Sequence, residues 1–174
     1  MVTIRHELAS DAAAREALLD RAFGKTRKRK TSERLREGRL PSDGLAFSAT
    51  DEKGRVIASI RLWDIIAGSA GAALLLGPLA VDHRHQGQGL GAALINRALN
   101  EARVRGHAAV ILVGDAPYYG RFGFSQGAIS DLHLPGPVDR NRFLGLELAP
   151  GALDGAEGLV MASGRKEDAA AAAA

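Results

Sequence analysis

Leu79-Ala80-Val81-Asp82-His83-Arg84-His85-Gln86-Gly87-Gln88-Gly89-Leu90-Gly91 joins an apolar run to an amphipathic one, and the reading of the fold starts there. Upstream, Ala73–Val81 has strand length and is apolar throughout. Downstream, Leu90, Leu94, Ala98 and Ala102 recur every fourth residue, with Ile95 and Leu99 beside them and Asn96, Asn100 and Arg103 facing away. That is the pattern of a helix packed on one side, and Gly106 is placed to end it. Ala108–Val113 follows with no polar residue, as expected of a strand buried on both faces. A strand, a helix and a strand in this order predict a right-handed crossover between parallel strands. Glycines at alternate positions of the joining loop let the backbone approach a ligand closely. Its amides, backed by the helix dipole, would make an anion site suited to a pyrophosphate.

Further out, Val2–Leu8 alternates weakly and predicts an edge strand. Ser10 or Asp11 can cap a helix whose buried face would be Ala14, Ala17, Leu18 and Ala22, ending at Gly24. A second helix is predicted from Thr31 to about Arg39, with Ser32 as cap and Pro41 as stop. Leu45–Thr50 and Arg55–Ile66 read as strands joined by the turn Asp51-Glu52-Lys53-Gly54, and Gly68–Gly71 as a loop. Tyr118, Tyr119, Phe122 and Phe124 crowd the segment after Val113. Phe143–Leu148 and Leu159–Ala162 are the last strand candidates, and Ala169–Ala174 is a low-complexity tail. One domain over residues 1–168 is expected.

The 174 residues include no cysteine, which excludes a disulfide framework, a thiolate zinc site and a cysteine nucleophile. The charged N-terminus is not a signal peptide and no apolar run spans a bilayer, so a soluble, cytoplasmic protein is expected. Net charge is +3, with Lys25, Arg27, Lys28, Arg29 and Lys30 concentrated in one run. No aromatic residue lies between Lys25 and Arg39 to stack on bases, so the run reads as a solvated loop and not as a nucleic-acid site. His83 and His85 lack a third ligand nearby, and no metal is expected. Gly24-Lys25-Thr26 lacks the glycine that a phosphate loop needs at position 19, where Leu19 stands.

Gly87, Gly89 and Ala92 also satisfy a dinucleotide fingerprint, with Asp115 after the next strand as the ribose carboxylate. Against it, Asp82 to Gln86 separate strand from glycines, and no further long amphipathic helix follows Asp115.

Leu79-Ala80-Val81-Asp82, Gln86-x-x-Gly89-x-Gly91 and Tyr118-Tyr119-Gly120-Arg121-Phe122-Gly123-Phe124, in this order and separation, resemble the GCN5-related N-acetyltransferases (GNAT). Leu-Val-Gly-Asp-x-x-Tyr-Tyr (Leu112–Tyr119) followed by Leu134-Pro135-Gly136-Pro137 resembles a bacterial subgroup of that family whose substrates are unsettled. The resemblance implies an α/β (α+β) three-layer fold, a mixed, mostly antiparallel, twisted sheet with helices on both faces. It implies acetyl-CoA as cosubstrate, its pyrophosphate on the amides of Gln86, Gly87, Gln88, Gly89, Leu90 and Gly91. Leu79, Ala80 and Val81 would offer the strand backbone to the pantetheine arm, beside a split in the sheet. Tyr119 aligns with the family's tyrosine near the CoA sulfur and would protonate the departing thiolate, while Tyr118 packs. Two positions depart from the family pattern: His83 stands where proline is common, and Ala73–Val81 carries no glutamate to serve as base. Asp115 and Asp64 are the carboxylates named instead. The acceptor pocket would be built from Thr31–Arg39, Trp63 and the chain after Phe124. The implied reaction is direct acetyl transfer to a primary amine of a small molecule or peptide within a ternary complex, since no cysteine can carry an acyl group. A CoA-thioester-binding regulatory domain without turnover is the alternative, and monomer and homodimer stay open.

Overall fold

In the computed structural model, residues 1–168 are described, and the alanine tail lies outside them. The strands are β1 (Thr3–His6), β2 (Ala46–Thr50), β3 (Val56–Ala67), β4 (Ala72–Val81), β5 (Ala109–Val113), β6 (Asp131–His133), β7 (Phe143–Glu147) and β8 (Glu157–Ala162). Three α-helices accompany them: α1 (Ala12–Phe23), α2 (Leu90–Val104) and the short α3 (Ala116–Gly120). The sheet order is β1-β2-β3-β4-β5-β7, and β8 pairs with the far end of β3 and with β6. Neighbours in that main order are antiparallel except β4 and β5, which α2 connects in parallel. A dinucleotide fold would need a parallel sheet built from repeated crossovers, so that alternative falls.

The apolar pattern explains the layers. Leu94, Ile95, Ala98, Leu99 and Ala102 of α2 are buried against Phe47, Ile60 and Leu74 on one face of the sheet. On the other face, Leu18 and Leu19 of α1 pack on Ala80. Strand β5 sends Val110 and Leu112 to the α2 side and Ala109 and Ile111 to the opposite core, so it is apolar because both faces are covered. Among the described residues no helix is long and apolar enough to cross a membrane.

Two local expectations are corrected. Of the α1 face predicted from Ala14, Ala17, Leu18 and Ala22, only Leu18 is buried; the three alanines are exposed, and Leu19 is the second buried residue. Burying a leucine gains ~2 kcal/mol where alanine gains little, so the two leucines orient the helix. The helix predicted over Thr31–Arg39 is a 3-10 turn, Thr31–Leu35, with no side-chain cap from Ser32. Leu35 is its only buried apolar residue, so no helical stripe exists to bury. Asp11 also does more than start α1. Its carboxylate accepts from Arg5 at 2.7 and 3.0 Å, from the Leu8 amide and from Ser48, which ties β1 and β2 to the helix start. Pairing with Arg5 holds its pKa down to about 2.

Candidate active site

β4 and β5 pair only at Leu74 with Val110 and Leu75 with Ile111. Beyond these residues the two strands part. β4 stays with β3 through Leu79, Ala80 and Val81, whereas β5 stays with β7 up to Val113. A bulge between Ile60 and Leu62 in the register with β3 accompanies the divergence. The buried Trp63 indole donates to the Gly77 carbonyl at 2.6 Å and fixes the bent stretch of β4. Trp63 was expected to line the acceptor pocket; it supports the fork from behind instead. The fork leaves one edge of β4 open to solvent and to ligand.

A cavity of about 610 Å³ runs along that edge to the start of α2. Of the residues expected to hold the cofactor, Leu79, Ala80, Val81, Gln86, Gly87, Gly89, Leu90 and Gly91 line it and Gln88 does not. Gly87 and Gly89 have φ of 78° and 80°, the left-handed backbone that lets the loop turn its amides inward ahead of α2. Gly91 serves another purpose. A Cβ there would come within 2.8 Å of the Tyr118 hydroxyl, so this glycine admits the tyrosine. Asp82 anchors the loop from below: nearly buried, it accepts from the Arg84 amide and guanidinium, and those bonds hold its pKa at about 2. His83 and His85 lie within 4 Å of the same carboxylate, and no group of three metal-ligand side chains exists among the described residues.

The aromatic segment closes the fork. Asp115 caps α3 by accepting from the Tyr118 amide at 3.1 Å, and Pro117 sits in the first turn, where its missing amide costs nothing. Tyr118 and Tyr119 meet edge to face at 5.0 Å, and Arg121 lies over the Tyr118 ring at 5.2 Å. Tyr119 lies against Gly114, where a Cβ would sit 2.4 Å from the ring. Burial pushes its phenol up to about 12, reinforced by Tyr118 and opposed by Arg142. Burial raises Tyr118 as well.

A second cavity of about 760 Å³ opens on the other side of Leu79 and Tyr118. One wall is the turn from Arg27 to Arg36 and the other is Pro137–Arg142; the floor is Leu76–Pro78 and Val113–Asp115. Thr31 and Arg34 donate to the carbonyls of Pro137 and Pro135 and clamp the walls together. Phe23, Leu79 and Tyr118 border both cavities, while Tyr119 and Asp115 border only this one. Asp64 borders neither. Its carboxylate accepts from the Ser42 hydroxyl at 2.8 Å, which removes it from the candidate bases. Sequence reasoning missed Phe23; it gave no role to Arg121 within the aromatic motif, nor to Arg36 and Arg142 within the segments expected to build the acceptor pocket.

The acetyltransferase (GNAT) domain model matches residues 42–126. The chain is 37% identical over 158 residues to the uncharacterized N-acetyltransferase YhbS of Escherichia coli K12, covering 90% of this chain and 93% of that protein. The crystal structure of Escherichia coli YhbS in complex with CoA superposes with a TM-score of 0.78 at 35% identity, covering 93% of this chain and 89% of that one. A GNAT acetyltransferase from Brucella melitensis in complex with acetyl-CoA superposes at 0.67 with 27% identity, over 98% and 97% of the two chains. On these matches the chain belongs to the GNAT family of acetyl-CoA-dependent N-acyltransferases.

Proposed function

We propose that this protein binds acetyl-CoA in the 610 Å³ cavity and transfers its acetyl group to a primary amine held in the 760 Å³ cavity. The observation that carries the reading is the shared border of the two cavities at Phe23, Leu79 and Tyr118, beside the fork between β4 and β5. Backbone amides from Gln86 to Gly91, with the dipole of α2 behind them, suit the pyrophosphate. The open edge of β4 from Leu79 to Val81 suits the amides of the pantetheine arm, laid down as an added strand. CoA-bound relatives support the same assignment.

Transfer is direct. The neutral amine nitrogen attacks the thioester carbonyl, the C–S bond breaks, and the sulfur leaves as a thiolate. The new amide nitrogen loses a proton to Asp115 or to water. Asp115 faces the acceptor cavity with one oxygen on its cap, and the other oxygen is open to an ammonium. Tyr119 is the donor to the sulfur. With a phenol at about 12, it keeps its proton throughout the working range. Outright transfer to a thiolate whose thiol has a pKa near ~8.5 is uphill by roughly 3–4 pK units, or ~5 kcal/mol. The group therefore acts first as a hydrogen-bond donor to developing charge, with transfer completed as the product relaxes.

Calorimetry with acetyl-CoA tests the cofactor half. Gly89→Asp places a carboxylate against the pyrophosphate and a side chain on left-handed backbone, and it should abolish binding in a folded protein. Undiminished affinity would sink the assignment. Thiol release with a panel of amines tests the transfer half and separates an enzyme from a regulatory CoA-binding domain.

A further inference from the structure

We infer that the acceptor is a small amine carrying an anionic group, carboxylate or phosphate, which Lys30, Arg36 and Arg142 bind in the acceptor cavity. The inference rests on the proposed acetyl transfer and names the substrate class of that site. All three cations border the 760 Å³ cavity and none borders the cofactor cavity, so they are not placed for the CoA pyrophosphate.

Arg36 is the core of the argument. It is 8% exposed, and its guanidinium lies by the fork: a Cβ on Gly77 would come within 3.3 Å of Nη1. Nη2 donates to Glu33 at 3.1 Å, but the buried Nε has no hydrogen-bond partner. A buried guanidinium with an unsatisfied donor is expensive unless something else completes it. Burial lowers its pKa despite Glu33, the sign of a charge short of compensation. Lys30 and Arg142 make no ion pair among the described residues. They are close enough to repel, since Lys30 is depressed by burial and then by Arg142 and Arg36.

The bland alternative is a solvated basic loop, and part of the run fits it. Arg27 turns away to Asp20 and Glu16, and Lys30 rests over Phe23 at 4.9 Å. The carboxylates that line the cavity, Glu33, Asp115 and Asp139, are outnumbered by its cations even with Arg27 set aside, because Arg29 and Arg34 line it beside Lys30, Arg36 and Arg142. Glu33 holds Arg36, Asp139 accepts from the Asn141 amide, and Asp115 caps α3. This excess of cations over carboxylates around one cavity forms a field that attracts an anion and repels polyamines. The cavity volume suits one small molecule.

The test is thiol release with matched amines: 4-aminobutyrate against butylamine, 2-aminoethyl phosphate against ethanolamine, and spermidine as the polycation. Anionic members should show kcat/KM higher by about tenfold or more than their neutral partners, the worth of one or two charge-assisted hydrogen bonds. The better of the two anionic arms identifies the headgroup. Lys30→Gln and Arg142→Gln, both exposed and expected to fold, should each shrink the anionic-to-neutral ratio, whereas Arg103→Gln on the outer face of α2 should not. Thermal shift adds a readout without turnover: inorganic phosphate at constant ionic strength should stabilise the wild type but not the Lys30→Gln/Arg142→Gln double variant. Preference for butylamine or spermidine, an unchanged ratio in both variants, or no stabilisation by phosphate in a wild type that binds acetyl-CoA would overturn the inference. Loss of acetyl-CoA binding itself would instead overturn the proposed function.

Discussion

Gly114→Ala tests whether the Tyr119 ring is positioned by the end of β5. Gly114 is buried and lies outside the left-handed region, so alanine is acceptable to the backbone, and the perturbation is steric alone. The added Cβ would stand 2.4 and 2.8 Å from two carbons of the Tyr119 ring and 3.2 Å from Leu112. Ordinary van der Waals contact begins near 3.4 Å, so the ring must move by about 1 Å. A displacement of ~1 Å at a reacting group costs on the order of 10²-fold in rate. Overpacking of this kind costs ~1–3 kcal/mol of stability, a loss of roughly 3–10 °C in Tm for a chain of this size. Gly114 does not line the cofactor cavity, so acetyl-CoA affinity by calorimetry should be unchanged. The expected pattern is a folded protein, unaltered cofactor binding and kcat down by ~10² in the thiol-release assay. Near-normal kcat with Tyr119→Phe inactive would refute the argument, because the hydroxyl would then matter while its placement by Gly114 would not. An equal loss of acetyl-CoA affinity would also refute it, by showing that the substitution disturbs the fork as a whole.

Tyr119→Phe should lower kcat by ~10²–10⁴-fold with little effect on acetyl-CoA affinity, because the ring still fills its site and only the donor is lost. Tyr118→Phe is the control, and a larger loss there would move the donor role to the hydroxyl beside Gly91. Asp11→Asn should destabilise the fold by about 2 kcal/mol at pH 7, read by denaturant unfolding. Asp11 has its folded pKa lowered to about 2, so its contribution is full above the unfolded value of ~3.9 and is lost as pH falls through about 2. An equal cost at pH 7 and at pH 2 would show that the ion pair with Arg5 is not its source. Duplex DNA should not retain the protein at physiological salt, since Arg27 is committed to carboxylates and the net charge of +3 offers few phosphate contacts. Submicromolar affinity surviving that salt would overturn this reading.

The frame of the fold was legible wherever burial imposes a period. α2 was read from its i+4 spacing and β5 from its unbroken apolar run, because one lies on a core and the other inside one. The edge strands and turns were legible too, for Asp51 accepts from the Lys53 and Arg55 amides and so builds the expected turn. α1 was placed correctly and Leu18 put on its buried face, but the alanines counted with it are exposed, because alanine carries little burial energy. α3 was missed. Five residues with a proline in the first turn hold no period, and only the Asp115 cap marks them.

The candidate site divides along the same line. Its cofactor half is contiguous in sequence, from β4 through the glycine loop into α2, and local backbone demands write it as a motif. Gly87 and Gly89 are needed for their φ, and Gly91 and Gly114 for the tyrosine rings that pass them. The acceptor half has no such grammar. Its walls, Arg27–Arg36 and Pro137–Arg142, lie about a hundred positions apart and are joined by hydrogen bonds from Thr31 and Arg34 to proline carbonyls. Nothing at Arg36 in the sequence distinguishes it from Arg34 or Arg39. Only the fold buries its guanidinium by Gly77, with Lys30 and Arg142 left without carboxylates. On the proposed function, cofactor and acceptor would therefore be specified by different kinds of information. Cofactor identity follows from backbone geometry that a motif must repeat. Acceptor selection, on the inference above, would follow from where isolated charges come to rest, and Lys30, Arg36 and Arg142 come to rest around one cavity.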